Sequence, residues 1–275
     1  MMTSARHVAL AARDVLETGA PREKAAQARR VAAAWRSGEL VWNAAWPDVP
    51  DPHTPCRPDR PALVPPGEVP RRRLNSPHGR IALLHAIAHI EFNAIDLAFD
   101  LIMRFGGDDR IKSADRQEFI TDWIGVGDDE ARHFVMVEDR LNSLSATYGD
   151  LPAHNGLWDA ARSTAHDLAA RLAVAPLVLE ARGLDVTPAM IDRLISAQDT
   201  ESADVLKVIY NEEIGHVGAG ARWFLAVSES EARDPEAYYQ ALVRTHFRGG
   251  LKRPFNFKAR QSAGLPESFY TPLAD

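Results

Sequence analysis

The sequence predicts an all-α protein organised around four long helices. Two observations predict it. Four segments between Ser76 and Val227 repeat apolar residues at helical intervals, and no stretch shows the two-residue alternation of a half-buried strand. Helix start and stop signals also punctuate these segments at workable lengths. With 275 residues, 45% of them apolar, the chain can bury a sizeable core as one large domain or one domain with extensions.

Up to about Leu40 the pattern gives two short helices, the second beginning at Pro21 and ending near Ser37-Gly38. From Trp46 to Pro77 prolines break any regular element, so this stretch reads as an extended arm, either packed on the domain or acting as a lid. Ser76-Pro77 has the form of an N-cap followed by proline, and the helix it opens runs to Arg104 and Phe105, where Gly106-Gly107-Asp108-Asp109 stops it. A second helix is expected from Asp115 to Thr147. A third is expected from Gly156 to Arg182, with Gly183 as its stop. Thr187-Pro188 reads as a new start, and Asp199-Thr200-Glu201-Ser202 as an interruption before a last long helix to Val227. Pro235 to Asp275 reads as one short helix and an irregular tail. The expected layout is residues 1–77 as helices and arm, 78–228 as the bundle, and 229–275 as helix and tail.

No run reaches the ~20 continuous apolar residues of a membrane span, and the start is broken by Arg6, His7 and Arg13, so a cytoplasmic protein without membrane contact is expected. Cys56 is the only cysteine, which excludes an internal disulfide and thiolate metal clusters. Any metal must be held by nitrogen and oxygen. The net charge of −6 argues against a strongly basic nucleic-acid binder, although local basic stretches keep nucleic acid open.

The chemistry lies on the long helices. Residues three apart on a helix point within roughly 60° of each other, so Glu130 and His133 can offer a carboxylate and an imidazole to one metal, as can Glu213 and His216. One such motif arises often by chance. Here it occurs twice, within Asp129-Glu130-Ala131-Arg132-His133-Phe134 and Glu212-Glu213-Ile214-Gly215-His216-Val217, each flanked by apolar residues at core spacing. Buried carboxylates are costly without a partner, and a metal supplies one. Di-iron and di-manganese bundles use two Glu-x-x-His helices and one glutamate from each of two others. Glu91 is the candidate on the first helix, since the midpoint between 91 and 130 falls at the expected turn near Asp109 and Arg110. Glu180 is the candidate on the third, with Pro176 able to bend the helix and turn it inward. Its midpoint with Glu213 fits poorly with a stop at Gly183, so Asp159 and His166 stay open as replacements, and a contact with Arg182 is the competing role for Glu180.

The four-helix ligand set, the repeated acidic-Glu-x-x-His and the segments His85 to Asp96, Glu180 to Pro188 and Pro254-Phe255-Asn256 resemble a bacterial branch of the ferritin-like superfamily classed as a domain of unknown function. More distantly, Glu180-Ala181-Arg182 and the Glu-x-x-His helices are similar to the bacterial hydroxylase acting on an isopentenyl-adenosine in tRNA. The resemblance implies a ferritin-like four-helix bundle with its metal site. It also implies that Asp129 braces His216 and Glu212 braces His133, fixing the orientation of each ring.

The expected centre holds two iron ions, with manganese or a mixed pair as alternatives. The expected activity is that of an O2-dependent oxidase or monooxygenase acting on a small organic or nucleoside-like substrate, with dioxygen and an electron donor protein as partners. A ferroxidase or iron-handling protein without organic substrate, and a bundle without catalysis, are the other readings. Tyr210, one turn before Glu213, is the candidate to supply a proton or hold an oxidising equivalent, against a packing role in the core. His85 and His89 read as hydrogen-bonded core residues. Arg71-Arg72-Arg73, and Arg248, Lys252, Arg253, Lys258 and Arg260 with Phe255 and Phe257, read as solvated surface or anchors that could also meet a phosphate.

Overall fold

The computed structural model describes residues 6–70 and 74–275, so the Arg71-Arg72-Arg73 stretch lies outside the described residues. Among the described residues the fold is all-α apart from one two-residue parallel pair, β1 (Arg6–His7) with β2 (Leu40–Val41), and two isolated bridges, Leu63 with Ala153 and Leu251 with Ala274. It divides into two compact units, Met1–Trp158 and Asp159–Asp275.

In the first unit, α1 (Val8–Glu17) and α2 (Pro21–Arg36) are the two short helices expected, and they pack on α3 (Pro77–Phe105) and α4 (Arg116–Ser143) respectively. Ser76 caps α3 by accepting from the Gly79 N–H at 3.1 Å, with Pro77 filling the first turn, where no N–H is needed. The antiparallel α3–α4 hairpin is the main packing pair of this unit. Gly127 of α4 lies 2.6 Å from the Phe99 ring as measured from an added Cβ, so any side chain there would push the two helices apart. At the hairpin turn the Trp46 ring covers Gly106 and Gly107, and its indole N–H donates to the Met103 carbonyl at 3.1 Å. α3 is apolar and long enough to cross a membrane by composition, but 78% of its most apolar window is buried inside the protein, as in a core helix.

The proline-rich stretch is a packed arm. Its Val64 N–H donates to the Ala153 carbonyl at 2.8 Å, the Ala153 N–H donates to the Ala62 carbonyl at 3.0 Å, and Arg57 reaches Asp96 on α3 at 2.8 Å.

In the second unit the third long helix differs from expectation at both ends. The stretch from Gly156 forms a separate short helix, α5 (Gly156–Ser163), whose first residues still belong to the first unit. Asp167 then caps a new start by accepting from the Ala169 and Ala170 N–H groups. From there α6 (Leu168–Val174), a π-helical turn (Ala175–Glu180) and α7 (Ala181–Ser196) follow without a break. Gly183 does not stop the helix and Thr187-Pro188 does not restart it. Gly183 stays out of the left-handed region that a glycine stop requires. Pro188 cannot donate to the Leu184 carbonyl, and the Asn256 side chain donates to it instead at 3.1 Å, which removes the main penalty of an interior proline.

Asp199 caps α8 (Thr200–Ser230) through the Ser202 N–H at 3.1 Å. α8 packs on α6, the π turn and α7, and α9 (Pro235–His246) packs on α6. The tail is more ordered than expected, with α10 (Phe257–Ser262) and α11 (Glu267–Tyr270) laid back on the unit.

Candidate metal centre

Glu91, Glu130 and His133 meet inside the first unit. Glu91 lies 14 residues before the end of α3 and Glu130 lies 14 residues after the start of α4. Both therefore stand about 21 Å from the hairpin turn. His133 Nδ1 is 3.2 Å from Glu91 Oε2 and 3.6 Å from Glu130 Oε2, and the three side chains are buried. Their ligand atoms lie within 4.8 Å of one another, a spacing that could hold a metal ion. Phe92 and Phe134, next in sequence to Glu91 and His133, are buried and pack with ring centroids 5.6 Å apart.

The electrostatics of the cluster are those of protons shared among ligands. Burial pushes the Glu91 carboxyl well above its usual range and the Glu130 charge adds to this, while His133 opposes it. At His133, burial works against the charged form, but contacts with Glu130 and Glu91 outweigh it and raise the imidazole to about 11. A cation in place of those protons would satisfy both carboxylates, and metal binding releases protons in this way. The donor set of carboxylates and imidazole suits a first-row transition ion and offers no thiolate.

The second unit carries the matching elements. Glu213 and His216 lie together on α8, with His216 Nδ1 3.7 Å from Glu213 Oε1. Glu180, half-buried, ends the π-helical turn. It stands 16 residues before Ser196, and Glu213 stands 13 after Thr200, so the two heights above the 197–199 turn agree to within about one helical turn. The poor midpoint came from the false stop at Gly183. Pro176, which lacks an N–H, sits in the first turn of the π segment, and the fully buried Tyr239 hydroxyl donates to the Leu177 carbonyl there at 3.2 Å. Such single π turns inside α-helices are frequent at functional sites. Arg182 donates to the Lys252 and Pro254 carbonyls at 2.7 and 3.0 Å and approaches Asp185 at 3.4 Å, so it is committed to the tail. Asp159 and His166, the alternatives to Glu180, are both outside the buried core.

The remaining candidates are placed as follows. Asp129 pairs with Arg132 at 2.9 Å with its side chain 40% exposed, and Glu212 is half-buried. The Tyr210 hydroxyl accepts from Asn256 Nδ2 at 2.9 Å. His85 accepts from the Gly149 N–H at 2.9 Å, and His89 joins the Tyr148 hydroxyl at 2.9 Å and the His154 carbonyl at 3.0 Å. Both rings thus pin the 146–154 loop, in the structural role expected of them. Burial lowers each to about 4.

Residues 17–271 match the family model described as "Protein of unknown function (DUF455)". The chain belongs to that family. An "Uncharacterized protein" of Haemophilus influenzae is 39% identical over 219 residues, which is 80% of this chain and 76% of the relative. No solved structure matches the chain.

Sequence reasoning missed one cluster in this DUF455 chain. Lys24 and Asp96, both fully buried, form an ion pair that Arg57 joins, and both cations lie over the Phe92 ring at 5.4 and 5.1 Å. The signal was present in the pair Asp96 and Asp100 within an otherwise apolar helix face, since a buried carboxylate demands a cation. The partners come from α2 and the arm, and no local pattern names them.

Proposed function

We propose that this protein is a carboxylate-bridged dinuclear metal protein, with two iron ions held by Glu91, Glu130, His133, Glu180, Glu213 and His216 in a ferritin-like four-helix bundle. The observation that carries this reading is the buried convergence of Glu91, Glu130 and His133 from two antiparallel helices. The second unit repeats the Glu-x-x-His motif on α8 and supplies a glutamate at a corresponding height on its antiparallel partner, which is the ligand inventory of such bundles. In this reading Asp129 and Glu212 brace His216 and His133, and Tyr210, held by Asn256, is the candidate for moving a proton.

A reduced iron pair bound there would supply dioxygen activation, and the activity proposed is that of an oxidase or monooxygenase on a small organic substrate. The chain's own residues fix the ligand geometry, with Glu91, Glu130 and His133 buried in the hairpin. The test is metal analysis of protein expressed with ample iron, together with the optical spectrum after oxygen is added to the reduced protein. About two iron ions per chain and a new near-ultraviolet to visible band are expected. One zinc per chain with no second ion would overturn the reading.

A further inference from the structure

A cleft of about 390 Å³ opens in the second unit, within the range of small-molecule sites. Its apolar surface includes Val178, Leu179, Leu251 and Phe255. Four cations and two carboxylates also line it: Arg182, Arg248, Lys252 and Arg260 against Asp185 and Asp275. These charges are not equivalent. Arg260 is 2% exposed and is consumed by a paired contact with Asp185, with Nε at 2.8 Å from one oxygen and Nη2 at 2.7 Å from the other. Arg260 also stacks on Phe255 and Tyr270, so it is an anchor of the wall. Arg182 spends its Nη1 on two carbonyls and approaches Asp185, which Arg260 already pairs, at 3.4 Å, so the two arginines and one carboxylate together keep one positive charge. Arg248 and Lys252 are exposed, and neither forms an ion pair among the described residues. The side chains of the cleft thus keep an excess of two positive charges beside an apolar floor.

The wall already accepts an anion from the chain itself. The Gly250 N–H donates to the Asp275 carboxylate at 3.1 Å, and a Cβ at position 250 would collide with that carboxylate. Glycine at 250 is therefore what lets an oxyanion approach the backbone so closely.

We propose that this cleft binds a small organic phosphate, its dianionic group met by Arg248, Lys252 and Arg182 and its apolar body laid on Val178, Leu179 and Leu251. The excess of two charges matches a phosphate monoester better than a carboxylate, and the apolar floor favours an ester over free phosphate. Val178 and Leu179 belong to the π turn that ends at Glu180, so the ligand would lie against that turn. The inference does not depend on a metal being bound.

The test is calorimetric titration of the full-length protein, as purified and after chelator treatment, with phenyl phosphate, inorganic phosphate and benzoate. Phenyl phosphate should bind one per chain, at least about fivefold more tightly than the other two, and equally well without metal. Arg248→Ala with Lys252→Ala should weaken it about tenfold or more, whereas Asp275→Asn, which removes a competing negative charge, should strengthen it several-fold. Lys258→Ala, outside the cleft, should leave it unchanged. Circular dichroism and melting would show that the exposed-residue variants fold. Absence of millimolar binding, loss on chelation, indifference to the double substitution, or weaker binding in Asp275→Asn would each overturn the proposal. Equal affinity for inorganic phosphate or benzoate would overturn the assignment to an organic phosphate.

Discussion

Replacing Asp96 by Asn should destabilise the first unit by several kcal/mol and make its stability rise with pH. Lys24 and Asp96 are both 0% exposed, and Arg57, 19% exposed, lies 2.8 Å from the same carboxylate. Once the charge is gone, Arg57 keeps Asn93 Oδ1 at 2.8 Å and some water. Lys24 keeps the Leu16 carbonyl at 3.4 Å and the Phe92 face. Removing one partner of a buried pair costs about 3–5 kcal/mol. The loss has a ceiling, because Lys24 can fold neutral. Deprotonating an ordinary lysine at pH 7 costs about 5 kcal/mol.

Burial already lowers Lys24 even with Asp96 in place, and burial raises Asp96 despite its two cations, so desolvation outweighs pairing on both sides. In Asp96→Asn the unfolded chain would then bind more protons than the folded one as Lys24 loses its charge in the fold. Stability should therefore recover as pH rises toward the ordinary lysine range, by at most about 1.4 kcal/mol per pH unit. The same logic predicts that Lys24→Met added to Asp96→Asn restores most of the loss, since the amide oxygen introduced at position 96 can still accept from Arg57. Urea denaturation followed by circular dichroism at pH 7, 8 and 9 measures all three effects. A loss under about 1 kcal/mol at pH 7, no recovery with pH, or a double variant as unstable as the single one would refute the reasoning.

His133→Ala and His216→Ala should each lose much of the bound metal while keeping a helical spectrum, and full occupancy in both, read by metal analysis, would contradict the ligand assignment. If Glu180 is a ligand, a structure with metal bound should place one of its oxygens about 2.0–2.2 Å from an ion. Gly220→Ala should cost about 1–3 kcal/mol in urea and lower metal content, because the new Cβ would meet Pro176 Cβ at 2.5 Å and displace the turn that carries Glu180. His85 and His89, each lowered to about 4, are held neutral when folded. Because the unfolded rings charge first, their contribution is present above pH 6.5 and is lost as pH falls toward 4, by at most about 3 kcal/mol per ring. His85→Gln, which can still accept from Gly149, should flatten that pH dependence in urea titrations at about pH 4–7.

The sequence by itself determined the helical class and the start of α3, because Ser76-Pro77 acts through local backbone geometry, whereas Gly106 and Gly107 at its end make room for the Trp46 ring. It also determined the height of Glu91 relative to Glu130, since a hairpin with a known turn converts residue count into distance. The duplicated Glu-x-x-His and its apolar flanks were legible for the same reason: a helix places residues three apart on one face whatever surrounds it.

Tertiary structure decided the rest. Pro188 lies inside α7 because Asn256, far along the chain, donates to the carbonyl that the proline leaves without its helical partner. Gly183 reads as a stop in sequence but lies in a continuing helix whose neighbouring Ala181 and Leu184 are fully buried, since tertiary context overrides local propensity. Glu180 ends a π turn whose Leu177 carbonyl takes the Tyr239 hydroxyl. Arg260, one more basic residue in the sequence, is a buried anchor because Asp185 and two aromatic rings enclose it. Lys24 finds Asp96 across 72 positions of sequence. In each case the deciding partner is distant in the chain, and periodicity and caps carry no information about it.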